Sequence, residues 1–187
     1  MGLNAKYTGN ESVFTARSLA KMALCIAFAC VTAYISFPLP FTPGMVTALT
    51  LALGVMAFVL TPKQTFVALV VYVLMGAAGL PVFVGGTAGI AKLVGPTGGY
   101  IWAWIVVYPI ISLLKGSKPR FWRYALLDIF IGIPITDIGG LLQMVAVMDI
   151  TWQQGFFMAV LPYIPGDILK CLAAAYLGVR INKALER

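Results

Sequence analysis

Histidine is absent from the 187-residue chain. Triads built on imidazole, His-ligated metals and His proton shuttles are excluded with it. Charge is scarce as well, since Asp, Glu, Lys and Arg make up 10% of the residues and only 6 of them are acidic. Cysteine occurs three times, at Cys25, Cys30 and Cys171, always inside apolar runs and never as CxxC. These residues read as small buried hydrophobes, without a disulfide framework or a metal site. No phosphate-loop lysine pattern occurs, so hydrolysis of ATP cannot reside in this chain.

What is abundant is hydrocarbon. Apolar residues make up 61% of the chain and the mean hydropathy is +0.96. Soluble domains carry roughly 45–50% apolar and about 25% charged residues, so this surface cannot be clothed for water. A single all-α, polytopic membrane domain follows. The apolar runs lack barrel alternation, and an open sheet would strand backbone groups in lipid. Six spans are expected, at about 14–37, 45–60, 66–80, 99–114, 124–147 and 165–181, with 152–161 as a short interfacial helix. Several are short of the roughly 20 residues a bilayer asks for. Polar 61–64 is expected to close the second span. The first segment is kept as a span, because Ile35-Ser36-Phe37-Pro38 does not resemble a signal-peptide cleavage site.

The basic residues set an orientation. Lys6, Arg17, Lys21, Lys63, Lys115, Lys118, Arg120, Arg123, Arg180, Lys183 and Arg187 fall on one side of the six-span arrangement. Only Lys92 and Lys170 fall elsewhere. Both termini are therefore expected in the cytoplasm of a plasma-membrane protein, with 38–44, 80–98 and 148–162 outside. The basic excess thus belongs to segment ends and implies no nucleic acid.

Charges at membrane depth are functional candidates by default. Asp167 and Lys170 stand three residues apart in Tyr163-Ile164-Pro165-Gly166-Asp167-Ile168-Leu169-Lys170, on one face of a helix start. Asp167 suits the positive helix end, whereas Lys170 gains nothing there, so a ligand group is the better account of it. Lys92 is the one basic residue of the Gly-rich 79–99 stretch; a solvated loop lysine and a partner for an acidic ligand are both open. The stiff run Phe37-Pro38-Leu39-Pro40-Phe41-Thr42-Pro43-Gly44 is either a lid or an interfacial anchor. Phe83, Gly98, Gln143 and Tyr163 join the candidates as apolar wall, close-approach glycine, neutral hydrogen-bonding group and aromatic. Tyr100, Trp102, Trp104 and Trp152 read mainly as an aromatic belt. Asp137, beside Pro134 and Gly139-Gly140, is read as a buried structural group, with ion coupling as its alternative. Asp128 is expected to pair with Arg123 or to reach water. Ala16/Ala20 and Ala23/Ala27 give small-xxx-small spacing, which lets helices approach in lipid.

Gly79–Gly86 (GLPVF-x-GG), Gly95–Tyr100 (GPTGGY) and Pro165–Lys170 (PGD-x-x-K) together resemble BioY, the biotin-binding substrate component of energy-coupling factor vitamin transporters. The resemblance spans essentially the whole chain. It implies a non-catalytic six-helix protein that takes up biotin near its outer face and needs no cofactor. It also implies partners: a transmembrane coupling subunit and two cytoplasmic ABC-type ATPases. Asp167 and Lys170 fall on the acidic and basic positions of the family element, and Lys92 falls where arginine is frequent. Ala23 and Ala27 fit the docking element of the first helix. Biotin's chemistry agrees, since a ureido ring, a thioether, an aliphatic chain and a carboxylate ask for apolar walls with a few placed polar groups. A component for another small vitamin, an ion-coupled carrier working alone, an intramembrane enzyme and a structural assembly subunit are the competing classes. The third lacks any nucleophile or metal constellation.

Overall fold

The structure is a computed structural model and describes residues 15–185. The polar leader with Lys6, the first residue of the expected span at 14, and Arg187 lie outside these. The chain is predominantly helical: α1 (Ala16–Ala33), α2 (Leu49–Val59), α3 (Pro62–Ala77), α4 (Ile90–Val94), α5 (Gly98–Leu114), α6 (Phe121–Leu127), α7 (Ile133–Met148), α8 (Trp152–Ala159) and α9 (Ile164–Leu185). A short hairpin, β1 (Ser36–Pro38) and β2 (Met45–Thr47), departs from the all-helical expectation. Its antiparallel register pairs Ser36 with Thr47 and Pro38 with Met45. Prolines at 38, 40 and 43 bar a helix here, so α1 stops at Ala33 rather than continuing to 37, and α2 starts at Leu49 rather than 45.

α3 starts at Pro62, four residues before the expected 66, because Thr61-Pro62-Lys63-Gln64 is a helix start rather than the end of a span. Thr61 and Gln64 form a reciprocal capping box, with Pro62 in the first turn. A π-turn, Asp128–Gly132, joins α6 to α7, with Ile133 N–H reaching back to the Asp128 carbonyl. Pro134 explains it: proline has no N–H for the Phe130 carbonyl and would clash with it, and the widened turn relieves both faults.

α2 is the axis of the bundle. Eight of its eleven residues, Leu49, Ala52, Leu53, Gly54, Val55, Met56, Ala57 and Phe58, are buried, and it packs against α1, α5 and α9. A helix apolar on every side must be enclosed by others. At 11 residues α2 is shorter than the roughly 20 that a lipid-exposed span needs. By length and composition α1 and the continuous Phe121–Met148 helix can cross a membrane, and α8 with α9 passes as a pair bent by 45°.

The C-terminal carbonyls of α2 are satisfied from outside. Lys115 Nζ donates to Ala57 O at 3.0 Å, to Phe58 O at 2.9 Å and to Leu60 O. Ser112 Oγ donates to Leu60 O at 2.7 Å, and Asn182 Nδ2 to Phe58 O at 2.9 Å. A cation at the negative end of a helix is favoured twice, by the dipole and by hydrogen bonding. Lys115 is thus buried within the bundle rather than displayed on its basic linker. Lys115→Met, which keeps the stem and loses the donors, should cost about 3 kcal/mol. Lys118→Met, on the exposed part of the same linker, should cost less than about 0.5 kcal/mol. Thermal unfolding in detergent checks the contrast.

Candidate ligand cavity

One end of the bundle is hollow. The cavity holds about 650 Å³ of empty space, its open mouth included. Its walls come from the hairpin (Pro43, Gly44, Met45, Thr47), α2 (Thr50), the 80s loop (Val84), α4 (Lys92), Thr97, α5 (Tyr100, Ile101, Trp104), α7 (Thr136, Asp137), Tyr163 and α9 (Asp167, Lys170). Tyr100, Ile101 and Trp104 share one α5 face by their helical spacing.

Asp167 Oδ1 and Lys170 Nζ form an ion pair at 2.5 Å. Lys170 Nζ also donates to the Thr47 carbonyl at 3.0 Å, so one lysine ties α9 to the hairpin across the cavity. Lys92 reaches the cavity from α4, and desolvation pushes its amine below the ordinary lysine range. A carboxylate arriving at this ammonium would offset that cost.

Four buried polar side-chain atoms find no hydrogen-bond partner among the described residues: Thr50 Oγ1, Trp104 Nε1, Thr136 Oγ1 and Tyr163 OH. All four residues line this cavity. The Tyr163 hydroxyl lies beside Thr42 without hydrogen-bonding geometry. A buried unsatisfied group costs about 1–3 kcal/mol, and four converging on one hollow describe a site that a polar small molecule would complete.

Of the residues singled out in the sequence, Asp167, Lys170, Lys92 and Tyr163 meet at this cavity. The other four lie elsewhere. Gln143 Nε2 donates to Leu93 O and Gly95 O, each at 2.8 Å, and so fastens the α4–α5 turn. Phe83 is fully buried, seated on Gly76 and edge-on to Tyr72, whose hydroxyl holds Val82 O at 2.6 Å. Gly98 packs against the Leu93 carbonyl and Gln143. Phe41, in the hairpin turn, is 55% exposed. Gly98 is thus taken up by packing between the α4–α5 turn and α7. Asp128 also departs from expectation. It is 3% exposed, enclosed by Gly54 and Gly132, while Arg123 bonds the Leu114 carbonyl.

Thr50, Thr136 and Asp137, outside the binding residues expected from the sequence, also line the cavity, and so does Trp104, expected in an aromatic belt. Thr136-Asp137, two adjacent polar residues deep in an apolar run, was the available signal. Thr50 and the hairpin carried none, because their place depends on tertiary contacts. Ala16, Ala20, Ala23 and Ala27 are all exposed on α1.

Fold and cavity define a helical membrane protein with an apolar-walled hollow at one end, into which unpartnered polar groups converge. The BioY family profile matches residues 6–187. The chain is 33% identical over 170 residues to a protein named biotin transporter BioY2 of Lactococcus lactis, covering 90% of this chain and 92% of that one. It is 34% identical over 168 residues to the biotin transporter BioY of Thermotoga maritima, covering 89% and 96%. The chain belongs to the BioY family. A crystal structure of the S-component for biotin from an ECF-type ABC transporter superposes with a TM-score of 0.83 at 23% identity, covering 89% of this chain and 91% of that one. That likeness concerns the fold.

Proposed function

We propose that this protein is the biotin-binding component of an energy-coupling factor importer. It captures biotin with high affinity at the extracellular face and is not itself an enzyme. The observation that carries this is the convergence of four unpartnered buried polar atoms, an acid–amine pair and a second lysine on one apolar-walled hollow. Biotin offers matching chemistry: ureido N–H and C=O groups for the orphaned hydroxyls and indole, a carboxylate for a lysine, and apolar rings and chain for Met45, Val84 and Ile101. The names borne by relatives agree with it. Mass spectrometry of small molecules co-purifying with the detergent-solubilised protein, followed by competition of labelled biotin with thiamine and riboflavin, tests it. Displacement by either competitor, or a different co-purifying vitamin, rejects biotin.

In this function the chain crosses the membrane six times with both termini in the cytoplasm, and the cavity opens outward. Cysteines at Ile90 and Lys118 in a cysteine-free background report on this. Ile90→Cys should react with an impermeant thiol reagent in intact cells, and Lys118→Cys should be protected. The reverse pattern inverts the orientation. Energy comes from a transmembrane coupling subunit and two cytoplasmic ABC-type ATPases. The exposed alanines of α1 suit close helix approach to that subunit. Ala23→Trp and Ala27→Trp should leave biotin affinity within about twofold and reduce recovery of the assembled complex on affinity purification. Undiminished recovery removes this face from the interface.

A further inference from the structure

Beneath the ligand cavity lies a second, smaller chamber of about 320 Å³ of empty space, lined by Thr50, Tyr108, Asp128, Gly132, Ile133, Thr136, Asp137, Asp167, Lys170 and Cys171. Thr50, Thr136, Asp137, Asp167 and Lys170 line both spaces, so the two are continuous in their walls. Asp128 and Asp137 are 3% and 6% exposed. Among the described residues no cation pairs with either. The positive charge that reaches them is that of Lys170, already bound to Asp167. Two ionised carboxylates left unpaired at this depth would cost far more than the bundle can supply, and such groups neutralise instead. A metal ion is the poorer neutraliser, because no three acidic or thiol groups among the described residues converge as a metal site.

Thr136 gives independent evidence of an occupant. It is 7% exposed, its hydroxyl has no partner, and it lines both spaces. A helical threonine commonly bonds the carbonyl four residues back; this one does not, leaving a donor and acceptor beside Asp137 at the junction. The room around Asp128 is made by glycines, since a Cβ at Gly54 or Gly132 would run into its carboxylate. The π-turn that begins at Asp128 sets the same wall.

Resting on the assignment of the cavity to a vitamin carboxylate, we propose that the lower chamber is a proton-binding site. Asp137 holds an exchangeable proton there, and the site keeps this proton to higher pH when the anionic ligand occupies the cavity above than when the cavity is empty. The groups facing Asp137 are Asp128, Tyr108, Asp167, Lys170, Tyr163 and Tyr100, with Lys92 across the cavity; those facing Asp128 are Tyr108, Cys171, Asp137, Asp167 and Lys170. Asp167 and Lys170 cancel each other, and Lys92 answers the ligand's carboxylate. Asp128 lines the lower chamber alone, whereas Asp137 lines both spaces, so Asp137 is the unpaired carboxyl whose ionisation most directly opposes an incoming anion. The sign follows: an anion that binds best to the protonated form raises the proton affinity of Asp137. Ligand affinity is therefore greatest at low pH and falls as pH rises through the range in which the empty site loses its proton.

Calorimetry of biotin binding to the purified full-length protein, in buffers of different ionisation enthalpy and as pH is raised through the range in which the empty site loses its proton, should give uptake rising towards roughly one proton per ligand, with affinity falling by at most tenfold per pH unit. Asp137→Asn should flatten this slope, and Asp137→Glu should restore it. A flat wild-type profile without proton uptake overturns the proposal. So does loss of the slope in Asp128→Asn with its survival in Asp137→Asn. Infrared spectroscopy of the ligand-free protein decides the matter even if biotin does not bind. A protonated-carboxyl stretch at neutral pH that disappears in Asp137→Asn supports the site, and its absence from wild type overturns it. Failure of biotin to bind refutes the ligand assignment alone.

Discussion

Lys170→Met is expected to weaken biotin binding by roughly 30-fold, because truncating one member of a buried hydrogen-bonded charge pair costs about 2–5 kcal/mol and this partly buried pair, its side chains 16% and 15% exposed, belongs at the lower end of that range. Two bonds vanish together, the 2.5 Å pair with Asp167 and the 3.0 Å bond to Thr47 O. The first loss leaves Asp167 as an uncompensated acid in the cavity wall. The second releases β2, which supplies Met45 and Thr47 to the opposite wall. Asp167→Asn should act more gently, by roughly tenfold, because the amide keeps the volume and removes only one charge-assisted bond. The double variant Asp167→Asn/Lys170→Met separates structure from recognition. It has no unpaired charge, so its thermal stability should return towards wild type while biotin affinity stays low. Equilibrium binding of labelled biotin with melting curves on the same samples reads both quantities. Unchanged affinity in both single variants would remove the pair from the site.

The spacing of Asp167 and Lys170 was legible because a helix brings residues three apart onto one face whatever surrounds it. The same local logic made the helical class legible. The start of α3 departs from its expected bound because a capping box and a linker use the same letters, and only the carbonyls and amides they satisfy distinguish them. Gln143 shows the opposite limit. As a lone amide in an apolar run it announced a polar need, yet that need belongs to the carbonyls of Leu93 and Gly95, about 50 residues away in sequence. Asp128 likewise looked near enough to Arg123 to pair. The π-turn starts at that residue and carries it into the core instead, a consequence of Pro134 that periodicity of 3.6 residues does not foresee. Burial of Lys115 was hidden for the same kind of reason: its partners are carbonyls at the end of α2, and carbonyls have no signature in a sequence.

The contact between α5 and α7 should be the point at which packing alone governs binding. A Cβ on Gly139 would lie 2.7 Å from Ala103 Cβ and 2.8 Å from the Gly99 carbonyl, and one on Gly99 would collide with the Gly139 carbonyl. Backbones this close admit no side chain without parting the helices. α5 carries Tyr100, Ile101 and Trp104, and α7 carries Thr136 and Asp137, so any separation opens the cavity between its own walls. Gly139→Val is therefore expected to cost about 1–3 kcal/mol of stability as overpacking. It should also weaken biotin binding roughly tenfold through misplacement of these groups, a loss of about 1.4 kcal/mol, although residue 139 does not line the cavity. Gly166→Ala is the matched control. It lies beside Asp167 in α9, where an added Cβ meets nothing within 4 Å, and within a helix alanine should leave binding intact and raise stability by about 0.4–1 kcal/mol. Melting temperature and biotin affinity should thus fall together for Gly139→Val, whereas Gly166→Ala should raise the melting temperature and leave affinity unchanged. A Gly139→Val protein of normal affinity would show that the cavity tolerates displacement of its walls, and that its polar groups do not act as a preorganised set.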